Sequence, residues 1–105
     1  MNAFAPDLIS RVSTALSVTG LRNEVIASNI ANRETEGYHR MGLRFEDVLD
    51  RPGGASVVTD RSDRPVSLEE DLVALSANTL RYESLARALG QYFSVITEIT
   101  NSSRG

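Results

Sequence analysis

From Leu68 to Thr100 apolar residues return at alternating steps of four and three: Leu68, Leu72, Leu75, Thr79, Tyr82, Ala86, Leu89, Phe93 and Ile96. Only a helix packed along most of its length turns such a rhythm into a continuous seam. At the helical rise this element is about 50 Å long, more than an isolated hairpin needs. Leu80, Leu85, Tyr92 and Ile99 widen the stripe, so the helix is apolar on more than one side. Its start is marked as well. Ser67-Leu-Glu-Glu fits a capping box, with Ser67 as N-cap and Glu70 at the third helical position. Glu69 and Asp71 add negative charge where the helix dipole favours it.

A second apolar series, Leu8, Ile9, Val12, Leu16, Leu21, Val25, Ile26 and Ile30, predicts an N-terminal helix from about Leu8 to Ala31. Met1–Pro6 reads as a lead-in, with Asp7 at the N-cap or in the first turn. Gly20 is the weak point, since glycine costs about 1 kcal/mol relative to alanine inside a helix. Each stripe needs a partner. The expected fold is therefore mainly α: two long amphipathic helices in an antiparallel, coiled-coil-like hairpin, joined by a short irregular segment with room for β structure. In one domain over 1–105, the helices take 1–32 and 67–100, the motif turn and loop 33–66, and a tail 101–105. Within the loop, Met41, Leu43 and Phe45 alternate as in a brief extended segment, although Phe45–Leu49 also suits a single helical turn. Pro52-Gly53-Gly54 marks a turn, and Ala55–Thr59 has the composition of a short strand.

The exit of the first helix carries the densest signal: Asn29-Ile-Ala-Asn32-x-x-Thr35-x-Gly37-Tyr38. Asn29 and Asn32 lie three apart on one face, near carbonyls that lack intrahelical partners. Gly37 permits positive φ and lets the chain double back. Tyr38 offers an aromatic plate with a hydroxyl tip to close the turn against the helix. An ordinary helix C-terminus draws on the same chemistry, so these residues by themselves leave both readings open.

With Asn29, Ala31, Asn32, Thr35, Gly37 and Tyr38 at these spacings, the pattern resembles the signature of the bacterial flagellar rod and hook family. Further on, Asp71-Leu72-x-x-Leu75-x-x-Asn78-x-x-x-Tyr82-x-x-Leu85 resembles the C-terminal pattern of the FlgB family of small proximal-rod proteins. Together the likeness spans about Leu21–Asp50 and Val66–Ile99. Members often carry proline where Glu36 stands here. Many also hold a larger β-rich insertion, for which Arg51–Pro65 leaves almost no room; that shortness, with the Asn78 and Tyr82 pair, favours the FlgB over the FlgC family. The resemblance implies a structural subunit exported without a cleaved signal through the flagellar type III apparatus and assembled in the periplasm. Its implied neighbours are copies of itself, FliE, FlgC, FlgF and FlgG. Leu68, Leu72, Leu75, Tyr82, Leu85, Leu89, Phe93 and Ile96 would then supply the packing stripe. A FlgC-like axial protein, or a cytoplasmic export chaperone or adaptor built on a helical hairpin, are the alternatives.

Other functions find little support. A net charge of −3 gives no nucleic-acid surface or polybasic membrane anchor. All 11 basic residues are arginine, which suits bidentate pairing at interfaces. Cysteine is absent, so no thiol chemistry arises. No apolar run approaches the length of a membrane span, and Met1–Ser10 lacks the regions of a secretory signal. By these rules alone the chain reads as cytoplasmic; the resemblance points instead to export. His39 is the sole histidine, so no histidine dyad forms within one chain. Glu69, Glu70 and Asp71 are consecutive on a helix and point apart. Asp60 and Asp63 lack calcium-loop spacing, and no phosphate loop occurs. The sequence asks for no enzyme, cofactor or metal.

Overall fold

The computed structural model describes residues 4–45 and 54–104. Two helices dominate it, α1 (Phe4–Ala31) of 28 residues and α2 (Leu68–Arg104) of 37. They pack against each other in opposite directions. Asp71, at the start of α2, meets Arg33 just past the end of α1. Asn78 meets Thr19 and Asn23, and Tyr82 lies against Gly20. The molecule measures 63 × 30 × 16 Å with a radius of gyration of 18.2 Å. A compact domain of this length would have a radius of about 13 Å. The chain is a rod.

Both helices run further than their apolar periods. α1 begins at Phe4, so 4–6 is helical rather than a lead-in. Pro6 falls in the first turn, where its missing N–H has no intrahelical acceptor to lose. Asp7 is a first-turn acid, not the N-cap, and pairs with Arg11 at 3.1 Å. α2 continues to Arg104 instead of stopping near Thr100, with the Ser103 hydroxyl donating to the Ile99 carbonyl at 3.0 Å. Nothing in Asn101-Ser-Ser forbids helix; serine and asparagine merely lower its propensity by tenths of a kcal/mol. At the other end, the Ser67 hydroxyl accepts the Glu70 N–H at 3.1 Å, as a capping residue should. The Glu70 carboxylate turns to Arg64 at 3.1 Å.

Helix α1 passes through Gly20 without ending. A Cβ there would sit 3.5 Å from Tyr82 Cε2, an ordinary contact. Gly20→Ala should therefore raise stability by about 0.5–1 kcal/mol through helix propensity. Urea unfolding followed by circular dichroism would show it; a loss would mean that Tyr82 needs the whole space.

Between the helices, β1 (Met41–Phe45) and β2 (Ala55–Thr59) pair antiparallel from Met41↔Thr59 to Phe45↔Ala55. These are the two extended segments that alternation and β-branching predict. Their connection, 46–53, lies outside the described residues, and with it most of the Phe45–Leu49 turn and of Pro52-Gly53-Gly54. A two-stranded ribbon is marginal on its own. This one lies on α1 and is pinned there by polar contacts.

The core is thin. Among the described residues Val25 is the buried apolar side chain, whereas Thr19, Asn29, Asp71 and Asn78 are buried and polar. On α2 the inward line is Asp71, Leu75, Asn78, Leu85, Leu89 and Tyr92, each buried or half-buried. This line keeps the four-three rhythm but departs from the apolar series read in the sequence. Leu75 and Leu89 belong to both; Leu68, Leu72, Tyr82, Ala86, Phe93 and Ile96 are exposed. The reason is that two inward positions are polar, so counting apolar residues picks a neighbouring line. From Phe93 to Ser103 every residue is exposed, and α2 projects without cover.

Candidate functional site

The candidate site is the exit of α1, where the chain reverses and hands the ribbon to α2. In the antiparallel ladder, Arg40 and Asp60 form a hydrogen-bonded pair: the Asp60 N–H donates to the Arg40 carbonyl at 2.8 Å. By the alternation of antiparallel pairing, the next residue, Met41, aims its N–H and C=O away from β2. Asn29 takes both. Its Nδ2 donates to the Met41 carbonyl at 2.9 Å, and its Oδ1 accepts the Met41 N–H at 2.9 Å. A side-chain amide thus stands where a third strand would offer its backbone. Asn29 is only 3% exposed, so these bonds form out of water.

Tyr38 completes the clamp. Its hydroxyl donates to Asn29 Oδ1 at 2.8 Å, and the Ser28 hydroxyl lies 3.2 Å from it. Asn32 serves the helix end itself, with Nδ2 donating to the Ser28 carbonyl at 3.0 Å. Its own carbonyl accepts the Thr35 N–H at 3.0 Å, and the Thr35 hydroxyl donates to Asn32 Oδ1 at 3.3 Å. The Tyr38 N–H then donates to the Thr35 carbonyl at 3.2 Å. Gly37, at φ +80°, makes the reversal between them; a side chain there would be strained even though nothing stands within 4 Å. Ala31, the last residue of α1, is exposed and contributes only its small size. Glu36 is exposed too. Every polar residue of the motif has a partner in the turn.

Asp71 ties this exit to α2. Only 4% exposed, it receives two parallel hydrogen bonds from Arg40, Nη1 to Oδ2 at 2.9 Å and Nη2 to Oδ1 at 3.0 Å. Bidentate pairing of this kind is the strongest an arginine makes. The Asp71 carboxylate, hydrogen-bonded to it, holds the Arg40 pKa above the usual arginine value, against a smaller desolvation effect. Arg33 adds a longer contact to Asp71 at 3.7 Å and donates to the Val66 carbonyl at 3.0 Å. Asp71 is thus a buried anchor rather than one of three dispersed first-turn charges. Next to Arg40, the half-buried Asp60 accepts the Ser62 N–H at 3.0 Å, and this bond lowers its pKa. Because that pKa is depressed on folding, the bond's contribution is present above the usual aspartate range and is lost on acidification through the lowered value.

Two helical turns further along α2, a polar layer crosses the hairpin. Asn78 Nδ2 donates to the Thr19 carbonyl at 2.7 Å and to Asn23 Oδ1 at 3.2 Å, and the Thr79 hydroxyl reaches the same oxygen at 3.1 Å. A carbonyl oxygen has two lone pairs, so the Thr19 carbonyl can accept Asn78 within the helix; the Thr19 hydroxyl itself bonds back to the Ala15 carbonyl at 2.7 Å. A single buried asparagine fixes the alignment of paired helices at some cost in stability. Asn78 Oδ1 is buried without a protein partner, which is that cost made visible.

Sequence reasoning placed the motif residues at one turn, and the structure brings Asn29, Asn32, Thr35, Gly37 and Tyr38 together there. It missed Arg40, read Asp71 only as a first-turn charge, and placed Asn78 only in the family-like pattern. The available signal was their spacing: 71, 75 and 78 keep the helical rhythm with polar residues at both ends. His39 is exposed. Among the described residues no group of three or more acidic or histidine side chains is placed to hold a metal, and no helix is long and apolar enough to cross a membrane. Apart from Arg40 Nε and Asn78 Oδ1, the buried side-chain polar atoms here are engaged within the protein, an arrangement suited to holding elements at fixed angles. In comparisons with known proteins, neither a family model nor a curated sequence matches this chain.

Proposed function

We propose that this chain is a structural subunit of the bacterial flagellar proximal rod, of the FlgB type. The observation that carries the reading is a mismatch of surfaces. Among the described residues twelve large apolar side chains are exposed, nine of them on α2, while Val25 is the buried apolar one. A helix left this bare is stabilised by packing on other molecules. The flagellar-type motif supports the particular assembly, since its polar residues lock the junction from which both helices and the ribbon depart.

In this reading subunits leave the cytoplasm through the type III apparatus without a cleaved signal. They stack with FliE, FlgC, FlgF and FlgG in the periplasm, and the exposed stripes of α2 bury against neighbours. The rod transmits torque, so its subunits need fixed internal angles rather than a reactive group; Asn29, Asp71 and Asn78 provide them. Deleting the coding sequence should abolish swimming and external filaments, and supplying the full chain in trans should restore both. A deletion strain that swims normally would contradict the reading.

A further inference from the structure

The ribbon has two edges, and they are treated differently. The Asp60 N–H donates to the Arg40 carbonyl, so by antiparallel alternation Ser56 and Val58 are the β2 residues whose backbone groups turn toward β1. Ala55, Val57 and Thr59 aim their N–H and C=O groups the other way. On the β1 side, the Asn29 amide occupies the outward groups of Met41. On the β2 side, among the described residues, no hydrogen bond reaches Ala55, Val57 or Thr59 from outside the ladder. Helix α1 flanks this edge at Ala55, beside Ser17 and Leu21; Val57 and Thr59 are exposed. A bare edge is a template for another strand, and proteins guard such edges with charge, proline or a bulge. Strand β2 carries no charge and no proline, and its register against β1 runs unbroken. Val57, at its centre, is 42% exposed.

This edge is complementary to itself. Laid antiparallel about Val57, Val57 of one copy faces Val57 of the other, and Ala55 faces Thr59. Every outward residue then meets an outward residue, so N–H groups meet carbonyls along the whole strand. The side chains agree with the backbone. Leu43 stands opposite Val57 within the ribbon, so Leu43, Val57, Val57 and Leu43 form one apolar row across both copies. The capped edge selects the partner. A foreign strand would bring an open edge of its own, whereas a second copy brings its Asn29 cap on the far side, and the sheet ends there.

We infer that two copies of this chain pair edge to edge through β2, antiparallel about Val57, into one four-stranded sheet closed at both ends by Asn29. The contact is isologous and stops at two copies. It belongs to the free chain and stands apart from the directional stack proposed above. Strands of five residues bury less than a permanent interface needs, so the pairing is weak and depends on concentration.

Sedimentation equilibrium of the purified full chain, from micromolar to millimolar concentration, should show monomer and dimer and nothing larger. Val57→Lys sets like charges directly opposite each other and should weaken association about fivefold. Val57→Glu should do the same, and mixing the two variants should restore the dimer. The chain has no cysteine of its own, which permits a second test. Oxidised Val57→Cys protein should run as a dimer on a non-reducing gel. Thr59→Cys protein should stay monomeric, because residue 59 lies about 14 Å along the strand from its own copy. Unchanged circular dichroism shows that these surface variants still fold. A wild-type chain that is monomeric throughout, a mixture no better than its components, or equal crosslinking at 57 and 59 would overturn the pairing. None of these results touches the rod reading, which stands or falls on the contents of basal bodies.

Discussion

Replacing Asn29 with alanine should destabilise the folded chain by about 3 kcal/mol, far more than truncating a side chain at an ordinary helix end. The size follows from what is left behind. The Met41 N–H and C=O both lose their partner at once, and the Tyr38 hydroxyl is left with Ser28 alone; an unsatisfied buried group costs about 1–3 kcal/mol. The loss should be local as well as global. The ribbon has little else to hold its first rung, so hydrogen exchange should accelerate over Met41–Phe45 while the centre of α2 changes less. Urea unfolding and exchange mass spectrometry measure the two parts. A destabilisation under about 0.5 kcal/mol would show that water replaces the amide without loss, and that the turn is a simple cap.

Breaking the Arg40–Asp71 pair should have the next largest effect, with a distinctive sign pattern. Arg40→Met leaves a carboxylate that is 4% exposed with only the longer Arg33 contact at 3.7 Å. Removing one partner of a buried pair typically costs about 3–5 kcal/mol. The Arg40 side chain is 31% exposed, and solvent screening there reduces the expected loss to about 2 kcal/mol. Asp71→Leu combined with Arg40→Met should recover to within about 1 kcal/mol of the wild type, because the double change leaves no unpaired charge from this pair. The same double variant should still fail to assemble, since the angle between β1 and α2 is no longer fixed. Equal losses in the single and double variants would mean that the pair contributes net attraction rather than geometry.

Much of this architecture is legible in the residues, and the illegible part has a common cause. Leu75, Leu85 and Leu89 announce α2 by period, Ser67 announces its start, and the alternation of Met41, Leu43 and Phe45 announces β1. Those are local signals, each contained within a few turns or a few residues. Asn29 is different: its partner is a backbone twelve residues later, and nothing in Met41 distinguishes it from any other strand residue. Asp71 and Asn78 are hidden for a second reason. Polar residues weaken an apolar stripe, so counting hydrophobic positions moves the seam to the adjacent line through Leu68, Leu72 and Phe93. Arg40 carries no local sign at all, because one arginine among 11 reads as a surface charge until the helix opposite is in place. The helix ends at Phe4 and Arg104 lie beyond the apolar period, where propensity alone decides and differences are a few tenths of a kcal/mol per residue.

Whether this chain is a rod subunit is tested most directly on the rod itself. Detergent-extracted hook–basal bodies from the organism that encodes the chain, inventoried by quantitative mass spectrometry, should contain it in fixed proportion to the other axial proteins across preparations. Its absence from them, with abundance in the soluble cytoplasm, would contradict the account. The Asn29–Tyr38 turn would then be a helix cap that serves a cytoplasmic hairpin.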